Sequence, residues 1–152
     1  MSRRIAALSV VAGVVALGGA GAFALAYAGE PQSPTLAHST ARYAAPEGDR
    51  DGSLTFTTDI TSTEGVKRVN VLAWPDTASF RDMHLTEKDM AAVETAECEP
   101  SGADTVHCTY RVGLTRADAE EAPRGVWHIA VLVTAGNGTT TLETEAADFT
   151  IG

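Results

Sequence analysis

Cysteine is scarce in this chain: Cys98 and Cys108 are the only two among 152 residues. A disulfide-dense miniature scaffold is thereby excluded, and one bridge at most braces the fold. Zinc spacing is absent too. The four histidines, His38, His84, His107 and His128, form no HxxxH pair, and there is no CxxC to join them. No GxSxG elbow presents a serine nucleophile. Lysine is confined to Lys67 and Lys88, so positive charge rests mainly on arginine.

Basic residues are also in deficit. Eleven Lys and Arg face twenty Asp and Glu, for a net charge of −9. Two of the eleven, Arg3 and Arg4, stand at the very start; from residue 29 onward nine basic residues face the same twenty acids, a net −11. Such a surface is repelled by phosphate backbones and anionic lipid. Nucleic acid is excluded as a partner, and the charge serves solubility.

Arg3 and Arg4 are followed by an uncharged stretch, Ile5 to Ala28, that ends in Ala26-Tyr27-Ala28. A basic start, an apolar run and a small-x-small site define a secretory signal, here residues 1–28. An uncleaved anchor is the alternative, since about 20 apolar residues span a bilayer. Gly13, Gly18, Gly19 and Gly21 dilute the run and favour cleavage. Either way the C-terminal part is exported, and membrane contact is limited to an uncleaved N-terminal segment. Ser2-Arg3-Arg4 hints at twin-arginine export, without the residues that strengthen that motif. No cysteine lies near the cleavage site to carry a lipid.

Residues 29–35 (GEPQSPT) read as a linker, and residues 36–152 as one domain. Its dominant period is two. Leu36 to Ala44 is expected as an edge strand with Ala37, Ser39, Ala41 and Tyr43 on one side. Leu54, Phe56, Thr58 and Ile60 alternate with polar neighbours, the signature of a half-buried strand. Val66 to Trp74 forms the next, with Val69, Val71 and Ala73 inward and Pro75 ending it. Val126 to Ala135 is apolar on both faces, as a central strand covered on both sides must be. Gly136-Asn137-Gly138 then turns the chain into one or two final strands. Thr86 with Asp89, and Thr115 with Asp118, have the spacing of a capping box and start two short helices. Six or seven strands and two helical connections predict a single antiparallel, immunoglobulin-like β-sandwich.

Thr95 to Leu114 reads as a hairpin with its tip at Pro100 to Asp104. A turn centred near Ala103 sets Cys98 opposite Cys108, at a separation a disulfide accepts. Antibody-type bridges join strands distant in sequence, so this pairing does not itself argue for that fold.

No catalytic, cofactor-binding or metal-binding residue is assigned. His128 is expected half-buried and hydrogen-bonded, and His107 exposed. Glu47 to Gly52 (EGDRDG) matches the first half of a calcium loop, but the position that needs a bidentate Glu is Thr58, inside a strand. Asn137-Gly138-Thr139 is a tight turn rather than a glycosylation site. Twenty acids guarantee carboxylate pairs by chance, so glycosidase chemistry gains nothing from their number. Trp74, Phe80 and Met83 sit in or beside a stretch without periodicity. They either tuck beneath a loop or are displayed for a partner, and they form the candidate interaction surface.

The segments Asp51 to Pro75, Met90 to Cys98 and Cys108 to Gly138 resemble a family of small secreted actinobacterial proteins catalogued as a domain of unknown function. The scarcity of lysine and wealth of alanine fit a GC-rich bacterial source. The resemblance implies export and a compact β fold, and it carries over no site residues. The expected role is a non-enzymatic binding module with an extracellular or cell-surface partner. A small secreted hydrolase and an extracellular protease inhibitor, working through the Cys98–Cys108 hairpin tip, are the alternatives.

Overall fold

The computed structural model describes residues 32–152. The expected signal, residues 1–28, and the first part of the linker lie outside the described residues. Among those described, seven strands form two antiparallel sheets joined by three short helices. Strands β1 (Thr35–Ala44), β2 (Gly52–Thr61), β4 (Glu97–Pro100) and β5 (Thr105–Leu114) make one sheet in the order β1-β2-β5-β4. Strands β3 (Val66–Pro75), β6 (Gly125–Ala135) and β7 (Thr140–Ile151) make the other, with β6 in the middle.

Alternation in β2 does what its pattern requires. Leu54, Phe56, Thr58 and Ile60 are buried, and the residues between them are only half-buried or face out. They meet Val69 and Val71 of β3, Ile129, Val131 and Val133 of β6, and Phe149 and Ile151 of β7 in one core between the sheets. Thr58, the one polar member of that β2 row, brings a hydroxyl there. It bonds with the Ser39 hydroxyl at 2.8 Å and donates to the Ala37 carbonyl at 3.3 Å, so its burial leaves nothing unpaired.

Strand β1 departs from simple alternation. Its register against β2 slips between Ala37 and Thr40, and His38 takes φ 52°. One extra residue in the strand reverses its phase. Leu36 therefore faces the core before the bulge, and Ser39, Ala41 and Tyr43 after it. Ala37, expected inward, is exposed.

The two-faced strand β6 is covered as its composition demands. From Ile129 to Val133 every residue is buried. The odd positions belong to the inter-sheet core, while Ala130 and Leu132 join Trp74 and Met90 in a second cluster on the outer face. The cover comes from the segment between β3 and β4, which carries helices α1 (Ala78–Arg81) and α2 (Glu87–Met90). Thr86 and Asp89 close a full capping box on α2, and Met90 at its end is completely buried. Helix α3 (Arg116–Glu121) begins with the same device, Thr115 and Asp118. The expected two helical connections are thus three. Helix α1 is a single turn whose Thr77 makes no side-chain cap, so neither period nor cap marks it in the sequence.

Strands β4 and β5 place Cys98 directly opposite Cys108, with Cα atoms 4.0 Å apart and sulfurs at 2.06 Å. Tyr110 of β5 donates its hydroxyl to Glu94, tying the segment after α2 to the four-stranded sheet. Burial first, and then the Glu94 carboxylate, raise that phenol above its ordinary range. No helix among the described residues is long and apolar enough to cross a membrane.

Candidate functional site

Strand β3 ends at Pro75, and the chain crosses the outer face of the three-stranded sheet as α1, a loop and α2. Trp74, the last outward residue before that proline, is buried beneath this cover, and its indole Nε1 donates to the Thr144 carbonyl at 2.9 Å. Phe80 and Met83 sit above it on the cover itself, 37% and 54% exposed. With Arg81, His84, Leu85, Thr144 and Glu145 they line an open cleft of about 260 Å³ whose inner wall is Trp74. The three aromatic and thioether side chains singled out from the sequence therefore line one cleft. Trp74 supports it from below, and Phe80 and Met83 face solvent.

Beside the cleft His128 is half-buried and hydrogen-bonded, as expected, in a polar cluster whose other members the sequence did not announce. The His128 ring packs at a tilt against Trp74, with centroids 4.5 Å apart and planes at 42°. Its Nδ1 lies 2.6 Å from the Asp148 carboxylate and its Nε2 3.7 Å from that of Asp76. The Arg81 guanidinium also donates to Asp76 and, with His128, holds that carboxyl below its ordinary range. A general base of the serine-hydrolase type turns one imidazole nitrogen toward a carboxylate and the other toward the nucleophile. Here both nitrogens face carboxylates. The chemistry of this arrangement is anchoring: it clamps the start of α1 to β6 and β7.

A second histidine cluster lies on the outer face of the other sheet. Asp59 of β2 stands opposite His107 of β5, whose Nδ1 is 2.7 Å from its carboxylate. His38 brings its own Nδ1 to 3.0 Å from the second oxygen. The hydrogen bonds from His107 and then His38 hold the Asp59 carboxyl below its ordinary range. The positive φ at His38 belongs to the bulge that swings this ring over Asp59. His107 was legible as an exposed residue, and Asp59 as its partner once the β2–β5 register is known. His38 needed the bulge.

Among the described residues no three His, Cys, Asp or Glu side chains form a group able to hold a metal ion. The Glu47 to Gly52 segment is a tight turn in which Glu47 and Arg50 exchange backbone hydrogen bonds of 3.1 and 3.0 Å. Thr58, at the position that a calcium loop gives to a glutamate, is buried between the sheets.

Two antiparallel sheets around one core, with a helical cover on one outer face and a single braced hairpin, define a mostly β domain. The chain belongs to a family of unknown function (DUF5707), whose model matches residues 36–133. No curated protein and no solved structure matches it.

Proposed function

We propose that this protein is exported, loses residues 1–28, and works outside the cytoplasm as a non-enzymatic binding module on an immunoglobulin-like sandwich. The signal pattern of Arg3 to Ala28 supports export, and the Cys98–Cys108 pair suits an oxidising compartment. The strand order supports the sandwich. Strands one, two, five and four in one sheet, and three, six and seven in the other, follow the constant-type immunoglobulin pattern. The bridge departs from that pattern, since it joins neighbouring β4 and β5 rather than the two sheets.

One observation carries the binding role. Phe80 and Met83 are large apolar side chains held exposed at the rim of a cleft, on a cover braced by Trp74 and the Asp76–Arg81 pair. Apolar anchors on a preorganised support are the usual centre of a protein contact. Affinity capture with the purified protein, from wall, membrane and secreted fractions of the producing culture, tests this. A partner held by the native protein and lost by Phe80→Ala with Met83→Ala is expected. Capture that survives both changes moves the contact elsewhere, and capture of nothing removes the role.

A further inference from the structure

The outer face of the four-stranded sheet has its side chains in rows set by register. Thr40, Thr57 and Thr109 form one row, and Arg42, Thr55 and Arg111 the next. Directly opposed residues point to the same side of a sheet. Both arginines therefore rise from one face, one strand away from Thr55 on either side and about 10 Å apart at the backbone. Together with Thr40, Ser53, Thr55 and Thr57 they line an open trough of about 610 Å³.

What sets these two cations apart is that they share one face and one trough with no acid between them. The chain carries nearly twice as many acids as bases. Three other arginines are engaged, Arg81 by Asp76, Arg116 by the Gly48 carbonyl and Arg124 by the Gly152 carbonyl. Among the described residues Arg50 and Arg68 share the unpaired state of Arg42 and Arg111, without sharing a face with a second cation in this trough. Among the described residues neither Arg42 nor Arg111 forms a salt bridge. The trough's polar lining otherwise consists of hydroxyls, with no carboxylate. Both side chains are exposed, so packing does not require either of them at its position.

We propose that this trough binds an acidic sugar, a carbohydrate residue whose carboxylate sits between Arg42 and Arg111 and whose hydroxyls meet Ser53, Thr55 and Thr57. A guanidinium fork matches a planar carboxylate with two parallel hydrogen bonds. Serine and threonine hydroxyls both donate and accept, as a polyhydroxylated ligand requires. The volume lies within the range of small-ligand sites, about 300 to 1,000 Å³. The surrounding negative charge selects a sparsely charged ligand over a dense polyanion such as nucleic acid.

Calorimetric titration of the purified protein with glucuronic acid, glucose and inorganic phosphate tests the assignment. Glucuronic acid is expected to bind at least tenfold more tightly than glucose, and more weakly as salt rises. Arg42→Gln and Arg111→Gln together should weaken it at least tenfold with the melting temperature unchanged, and Arg50→Gln should leave it alone. Phosphate binding as tightly as the uronate would leave the sugar ring no role and overturn the proposal. So would equal affinity for glucose, indifference to the two arginine changes, or tighter binding of an oligonucleotide. The trough lies on the opposite sheet from Phe80 and Met83, so sugar binding and partner capture fail independently.

Discussion

The indole of Trp74 and the carbonyl of Thr144 are joined by a 2.9 Å hydrogen bond between residues 70 positions apart. Thr144 falls where the β6–β7 register slips, between Glu143 and Ala147. A carbonyl displaced from the ladder there finds its donor in a side chain from β3. One residue thus closes an irregularity in the sheet, packs with Met90, Ala130 and Leu132, and forms the inner wall of the cleft.

Trp74→Phe keeps most of the apolar contact and removes the donor, so it should cost about 1 kcal/mol in urea unfolding. Trp74→Ala also opens a cavity and should cost about 3 to 5 kcal/mol. A loss in Trp74→Phe as large as that in Trp74→Ala would place the energy in the hydrogen bond instead of the packing.

The bridge between Cys98 and Cys108 closes a loop of ten positions. Restricting the unfolded chain by so short a loop is worth about 2 to 3 kcal/mol. Replacing both cysteines with alanine should lower unfolding free energy by that amount, and thiol titration of the folded native protein should find no free sulfhydryl. Because β4 is a four-residue edge strand with every residue exposed, the loss should appear first as faster amide exchange at Glu97 to Glu99.

Much of this was legible because the signals are local. Alternation over Leu54 to Ile60 depends only on the pleat, and the Thr86–Asp89 and Thr115–Asp118 boxes depend on four consecutive residues. The Cys98–Cys108 register followed from the turn between them. What escaped depends on partners far along the chain. The bulge at His38 is stabilised by Asp59, 21 positions on, and it turned Ala37 outward. Helix α1 is held by Asp76, Arg81 and His128 rather than by its own propensity. The Arg42–Thr55–Arg111 row exists only once β1, β2 and β5 are in register.

The two capping boxes make stability depend on acid. Hydrogen bonds from the hydroxyl and then the backbone N–H of Thr86 hold Asp89 below the ordinary carboxylate range, and those of Thr115 do the same for Asp118. A carboxyl depressed by folding contributes stability above its unfolded value, about 3.9, and loses it as pH falls through the lower folded value. Unfolding midpoints should therefore decline below about pH 4. In Asp89→Asn with Asp118→Asn part of that decline should vanish, with a lower plateau at neutral pH. An unchanged acid slope in the double variant would assign the dependence to other carboxylates, Asp59 and Asp76 first.

The turn between β6 and β7 and the turn between β2 and β3 touch at Gly136. Its N–H donates to the Gly65 carbonyl at 3.1 Å, and a Cβ placed on it would stand 2.3 Å from the Glu64 carbonyl oxygen. Backbone on both sides leaves no flexible side chain to move aside. Gly136→Ala must push the two turns apart, break that hydrogen bond and disturb the Ser62 hydroxyl contact with Gly65, 2.9 Å long. Overpacking of this kind costs about 1 to 3 kcal/mol. Gly138, two residues on, has φ 87° with open space around it, so an asparagine there meets backbone strain but no collision, and asparagine tolerates that region better than most residues. Thermal unfolding of the two variants should rank Gly136→Ala well below Gly138→Asn. Equal midpoints would mean that the turns separate freely, and that the contact between them contributes nothing to holding β3 against β6.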